Sequence, residues 1–343
     1  MVQTEDMGQN PNANWPGLAE EILAILRCLT CGSTLRNDPA GLRCEGCGRK
    51  YLQVNSVVRF VDSQCYAGSF GFQWQVFGRT QLDSEQSLRS EDDFRRRTGF
   101  RPVDLKGKLV LDVGCGMGRF AEVATRWGAQ VVGIDLSLAA EIAARNLADR
   151  QATILQADVF NLPFAPESFD YIYSIGVLHH TPNCERAFKV LPPLLKPGGR
   201  IAIWLYSSYT RWYRCSDLYR HLTRRMPPQL LHKLCYLTVP LYGVHKALRH
   251  IPLVGRSASG ALAFLIPMSF NKDRQWRVLD TFDWYSAWYQ SKHTYEEVFR
   301  WFESCQLEGL RVIEQPISVQ GRKPAAPQQR FESSQAEAER CVG

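Results

Sequence analysis

The sequence predicts an α/β protein built on a doubly wound parallel sheet, and three observations predict it. Residues 109–120, LVLDVGCGMGRF, place a buried apolar strand ahead of alternating glycines and an amphipathic helix. Val131-Val132-Gly133-Ile134-Asp135 follows as a second strand ending in an acid, near the spacing of a ribose-binding carboxylate. Short apolar strands then alternate with helical stretches: Ile154 to Asp158, Phe169 to Ser174 and, after Lys196-Pro197-Gly198-Gly199, Arg200 to Leu205. Such alternation puts a ligand at the carboxyl ends of the strands. A glycine turn between strand and helix lets backbone N–H groups approach that ligand closely. Alone, G-x-G-x-G reads equally as a dinucleotide site or a tight turn.

Ahead of the sheet, residues 1–18 are polar and predict a disordered start. Residues 19–63 carry two C-x-x-C-G knuckles, Cys28/Cys31 and Cys44/Cys47. Each knuckle can aim two thiolates at one ion, and four sulfurs suit tetrahedral zinc with no open position, so the site is expected to be structural. Iron, a disulfide pair or two accidental pairs are the alternatives for four such cysteines. Residues 64–106 form a linker dense in aromatics, among them Phe70, Phe72, Trp74 and Phe77. These rings can cover a cofactor, sheltering a cationic sulfur by cation–π attraction, or simply weld ribbon to core.

The strands and loops resemble the class I S-adenosylmethionine-dependent methyltransferases. LDVGCGMGRF, VVGIDLS, LQADVFNLPF, FDYIYSIGVLHH and LLKPGGRIAIW look like that family's five motifs, in its order and at its spacing. The resemblance implies a Rossmann-like seven-stranded sheet over residues 107–322. It implies that Gly114, Gly116 and Gly118 bring the backbone against the cofactor's methionine moiety, with Asp112 facing its amino end. Asp135 would hold the ribose hydroxyls and Asp158 the adenine amino group, with Val159 packed beside the ring and Ser174 in the same cofactor set. Each acid has another use, capping the helix after its strand. A nicotinamide-binding dehydrogenase is the structural competitor, but it more often shows G-x-G-x-x-G. The knuckles resemble zinc ribbons that precede some bacterial methyltransferases, and similar ribbons occur in RNA-modifying enzymes.

The fourth motif ends in His179-His180-Thr181-Pro182, and in the family this loop faces the transferring methyl group. His180, with His179 in reserve, is the expected general base; the alternative is that both rings only hydrogen-bond or stack within the loop. After the fifth strand, residues 206–280 form an insertion rich in Arg and Lys, with Asp217 and Asp273 as the acids before Asp280. Apolar stretches interleaved with those bases predict a helical lid. The chain resumes its core with a capping box, Thr294 and Glu297, and an antiparallel pair of strands ends it. Tyr289 and His293, just before that helix, are expected at the acceptor side. Residues 323–343 predict a flexible tail.

Composition bounds the rest. The 343 residues are 45% hydrophobic, enough for a core, and no apolar run approaches the roughly 18 residues of a membrane span. A polar start and eleven cysteines suggest a cytoplasmic, reducing compartment. The lid, with twelve Arg and Lys against Asp217, Asp273 and Asp280, accounts for all of the chain's +7 net charge and more. A basic, apolar lid fits a small or amphiphilic acceptor, with peripheral membrane contact; RNA phosphates are the second reading. A non-catalytic docking scaffold is the third, and the intact glycines and acids count against it.

Overall fold

The computed structural model describes residues 16–61, 68–84, 88–209 and 214–325. Most of the N-terminal segment 1–18 and of the tail 323–343, with Cys65 and Cys341, lie outside the described residues.

The N-terminal unit holds helix α1 (Glu20–Ile25) and strands β1 (Leu35–Asp38), β2 (Gly41–Cys44), β3 (Lys50–Val54) and β4 (Val57–Arg59). Helices α2 (Gly68–Phe77), α3 (Arg89–Thr98) and α4 (Pro102–Leu105) lead to the main sheet. There β5 (Leu109–Val113), α5 (Arg119–Arg126), β6 (Gln130–Asp135), α6 (Ala139–Asn146), β7 (Ala152–Gln156) and β8 (Phe169–Ile175) alternate. A 3-10 turn, Leu178–His180, helix α7 (Cys184–Lys189) and the long strand β9 (Leu195–Trp204) follow. The lid comprises α8 (Arg214–Thr223), α9 (Pro228–Cys235), α10 (Thr238–Leu248), α11 (Gly255–Leu265) and α12 (Arg274–Ser286). Helix α12 runs through the boundary expected at 280. Helix α13 (Tyr295–Ser304), β10 (Glu308–Val312) and β11 (Ser318–Arg322) close the chain. The Thr294–Glu297 capping box opens α13 as expected.

The sheet has eleven strands, in the order β1-β2-β3-β4-β7-β6-β5-β8-β9-β11-β10. This corrects the expectation of a seven-stranded sheet with a separate ribbon. Seven of the strands, β7 to β10 in that order, are the doubly wound part, with β5, β6, β7, β8 and β9 parallel and β11 antiparallel to β9. The other four are the ribbon, joined edge to edge: β4 pairs parallel with β7 through Val58↔Leu155 and Arg59↔Gln156. The physical reason is the edge itself. Strand β7 ends a buried parallel sheet, and its open hydrogen-bonding groups need a partner. The ribbon's apolar side chains Leu35, Leu42, Tyr51 and Phe60 share one core with Leu155, Phe164 and Phe169 of the sheet. Counting cysteines cannot reveal that sharing.

The chain order reverses at β5. From there it runs outward to β6 and β7, then returns to β8 and β9 on the other side. The carboxyl ends of β5 and β8 therefore border the topological switch point, where open α/β sheets bind ligands. Above it sits the lid. Helix α12 packs between α8, α9 and α2, and its Val278, Leu279 and Phe282 share a small core with Phe77, Leu231 and Cys235.

Candidate functional site

At the switch point the structure opens a cavity of about 350 Å³, lined by residues between Phe70 and Asp283. Its floor is the glycine turn. Gly114, Gly116 and Gly118 all have positive φ, at 79°, 54° and 91°, a region L side chains rarely enter. A Cβ at Gly114 would lie 2.3 Å from the Val177 side chain, and one at Gly116 would lie 3.2 Å from the Trp74 indole. The backbone is thus bare where a ligand must approach it.

Asp135 ends β6 on the cavity wall. Its carboxylate accepts the Gly116 N–H at 3.0 Å, the Ser137 N–H at 2.8 Å and the Ser137 hydroxyl at 2.7 Å. A carboxylate offers about four acceptor directions, and the rotatable Ser137 hydroxyl can release one, so capping and ribose binding are compatible here. Burial raises the Asp135 pKa above its ordinary value against those hydrogen bonds. Val159 and Ala157 line the cavity. Asp158 between them does not; its carboxylate accepts the Phe160 N–H at 3.0 Å.

Asp112 and Ser174 are also off the wall. Ser174 donates to the Val113 carbonyl at 3.0 Å, tying β8 to β5. Asp112 is 2% exposed and accepts the Tyr173 phenol at 2.9 Å. Burial drives its pKa up to about 8, the Tyr173 bond opposing and the Asp135 charge adding. The folded state therefore keeps a proton on Asp112 that the unfolded chain has lost above its ordinary value of 3.8. Stability from this group is present below that value and falls as pH rises toward about 8. Replacing Asp112 with Asn should remove that fall: the gap in Tm between variant and wild type, followed by circular dichroism, should widen in the variant's favour from pH 5 to pH 8. A constant gap would reject the assignment.

The His-His turn splits into two environments. His180 lines the cavity. Its Nδ1 lies 2.9 Å from the Tyr289 carbonyl oxygen, which can only accept, so Nδ1 carries the proton. Nε2 then bears a lone pair; it is buried without a hydrogen-bond partner and sits 3.8 Å from Asp283 Oδ2. The Tyr206 phenol donates to that same Oδ2 at 2.7 Å. Burial lowers the His180 pKa, while Asp283 and the Tyr289 carbonyl pull it up. His179 is fully buried off the cavity wall, its ring 4.0 Å from Tyr206 and 4.2 Å from His180 between centroids. Burial holds it well below the ordinary histidine pKa.

The aromatic linker divides its rings. Phe70 and Trp74 of α2 face the cavity, with Phe70 5.1 Å from the His180 ring, whereas Phe77 is buried in the lid core. Gln73, 3% exposed, turns an unpartnered Oε1 toward the same space. Tyr289 meets His180 through its carbonyl, and its side chain is exposed. His293 lies in a neighbouring recess, its ring 2.7 Å from the Ser291 hydroxyl and 3.4 Å from Glu297. Neither side chain lines the main cavity. Sequence reasoning missed Arg97, Arg119, Asp280 and Trp276, which do. Arg119, directly after the last glycine, was within reach of a sequence argument. Arg97 was not, because α3 reads as a solvated charged helix and only its packing against β9 brings Arg97 over Trp204, at 4.2 Å.

At the far end of the sheet, the Sγ atoms of Cys28, Cys31, Cys44 and Cys47 lie within 4.8 Å of one another. The pairs Cys28–Cys47 and Cys31–Cys44 are 3.6 and 3.4 Å apart. Sulfurs about 2.3 Å from one tetrahedral ion would stand at nearly that separation, so the residues fit a metal. Gly32 and Gly48, both at φ 73°, turn the backbone after each knuckle. The Tyr51 hydroxyl lies 3.2 Å from Cys28 Sγ; burial pulls that thiol up, but the bonds from Tyr51 and backbone amides bring it down to about 6.

Residues 111–203 match the family described as "Methyltransferase domain". The sterol 24-C-methyltransferase erg6 of Schizosaccharomyces pombe is 29% identical over 145 residues, 40% of this chain and 37% of that protein. The ubiquinone biosynthesis O-methyltransferase of Coxiella burnetii is 37% identical over 102 residues, 29% of this chain and 44% of that one. A probable tRNA methyltransferase 9B of Mus musculus is 36% identical over 104 residues, 29% of this chain and 22% of the relative. The chain thus spans less than half the length of each of these relatives, and their names divide between small molecules and tRNA. Residues 111–203 thus form a methyltransferase domain.

Proposed function

We propose that the chain is an S-adenosylmethionine-dependent methyltransferase acting on a small or amphiphilic acceptor, with its four-cysteine cluster holding a structural zinc. One observation carries the reading: a single cavity is lined by the bare glycine turn, by Asp135 and by His180, whose Nε2 is left without a hydrogen-bond partner. The cofactor, when bound, supplies an electrophilic methyl group on a cationic sulfur. The glycine turn and Asp135 would hold it, and Val159 would pack beside its adenine. His180 takes the proton from the acceptor's nucleophilic atom, Nδ1–H on the Tyr289 carbonyl fixing the ring's orientation. Asp283 sits where it can stabilise the imidazolium that results. Phe70, Trp74 and the lid residues Trp276 and Leu279 exclude water from that transfer. Lid apolar surface around the cavity suits an acceptor with an apolar body better than a polyphosphate strand.

Calorimetric titration of the full chain with S-adenosylhomocysteine tests the cofactor half. Binding should appear, NADH should give no heat, and Asp135→Asn should weaken the complex by about tenfold through loss of one charged hydrogen bond. Heat with NADH alone would replace this reading by that of a dehydrogenase.

A further inference from the structure

We propose that the outer face of the lid docks on an anionic lipid bilayer, with helices α8, α9, α10 and α11 lying in its headgroup region. The lid helices carry large apolar side chains on the side that the fold leaves uncovered. In α9, Leu231 and Cys235 are buried in the lid core, while Leu230 and Leu234, with Leu237 just past the helix end, stand at i, i+4 and i+7, all exposed. In α11, Ser259 and Ala263 face inward, while Phe264 and Leu265 are exposed. In α8, Leu218 and Leu222 stand outward at 68% and 70% exposure. The Tyr219 hydroxyl donates to the Leu265 carbonyl at 2.9 Å, so the α8 and α11 rows are neighbours. Between α10 and α11, Leu253 is wholly exposed. Most of the exposed large hydrophobic side chains among the described residues belong to this lid. An apolar surface gathered in one place marks a contact site.

Charge selects the partner. Arg225, Lys233, Lys246, Arg249 and Arg256 are exposed among those apolar residues. The acids of the lid before Asp280 are occupied elsewhere: Asp217 is paired with Arg220 and Lys292, and Asp273 caps α12 through the Trp276 N–H. A face of this sign repels its own copy, which weighs against self-association, and it complements anionic headgroups while its leucines enter the acyl boundary. No helix among the described residues is long and apolar enough to cross a membrane, so the contact is a surface one. The face lies over the cavity, since Trp276 and Leu279 of α12 line it and α8, α9 and α10 pack on α12.

Flotation of the full-length protein tests this with vesicles of phosphatidylcholine alone and with about a third phosphatidylglycerol. The protein should float with the anionic vesicles at low salt and release as salt rises. Leu222→Asp with Leu265→Asp should weaken binding by at least about tenfold. Arg249→Glu with Arg256→Glu should weaken it by roughly fivefold or more per base and abolish the preference for anionic lipid. All four positions are exposed, so unchanged Tm and unchanged S-adenosylhomocysteine binding confirm folded variants and keep this result separate from the methyltransferase reading. No flotation at low salt overturns the proposal, as does wild-type binding by both double variants. So does a dimer in the ultracentrifuge that Leu222→Asp splits, or lid-dependent retention on RNA without retention on vesicles.

Discussion

Replacing His180 with Asn should lower turnover by about 10²- to 10⁴-fold, the usual share of a positioned base, and leave S-adenosylhomocysteine affinity within about twofold. The expectation rests on one nitrogen. Nε2 of His180 is the buried, unpartnered acceptor beside Asp283, while the other ring nitrogen is committed to the Tyr289 carbonyl. Burial outweighs the pull of Asp283 and lowers the His180 pKa below its ordinary 6.5. The neutral, proton-accepting form therefore prevails at neutral pH, and the acid limb of the kcat/KM profile should fall below 6.5. Asp283→Asn removes a charge that favours the imidazolium, so that limb should move further toward acid. A limb above 6.5, or full turnover with Asn at 180, would end the assignment of His180 as base. His179→Asn serves as the contrast. Its ring is packed on Tyr206 away from the cavity wall, so its substitution should lower Tm more than it alters the pH profile.

Stripping the metal from the ribbon should destabilise the whole molecule and not just its N-terminus. Four thiolates brought within 4.8 Å repel one another without a cation between them. Strand β4 is hydrogen-bonded to β7, and Leu35, Leu42, Tyr51 and Phe60 share a core with the main sheet. Chelation, or Cys44→Ser, should therefore lower Tm by at least about 10 °C, as expected for a loss of several kcal/mol in a chain of this size. Hydrogen exchange should rise at β4 and β7 together. Metal analysis of the purified protein should return one zinc per chain. A ribbon that melts while the remaining sheet keeps its Tm would disprove the coupling, and a metal-free native protein would disprove the zinc.

The legible parts of the site were those whose chemistry is local in the chain. Gly114, Gly116 and Asp135 could be read because a strand, a turn with positive φ and a second strand impose their own residues. The cysteine knuckles are equally local, each a turn that aims two thiolates at once. Arg97 and Asp280 could not be read, because helices α3 and α12 bring them to the cavity from opposite sides of the methyltransferase segment. The split between His179 and His180 was also hidden. The two rings lie side by side on a 3-10 turn, and only the packing of Tyr206 and the Tyr289 carbonyl decides which faces the cavity. Phe70 and Phe77 were indistinguishable for the same reason.

By itself the sequence determined the parallel sheet, its glycine turn, the carboxylate of β6 and the thiol cluster, since each follows from short-range backbone and ligand geometry. The tertiary structure alone decided that the ribbon completes the sheet's edge, that His180 and not His179 lines the cavity, and that large apolar side chains of the lid face outward. Those outcomes depend on which distant surfaces bury one another, and burial is a property of the packed chain that no local run of residues encodes.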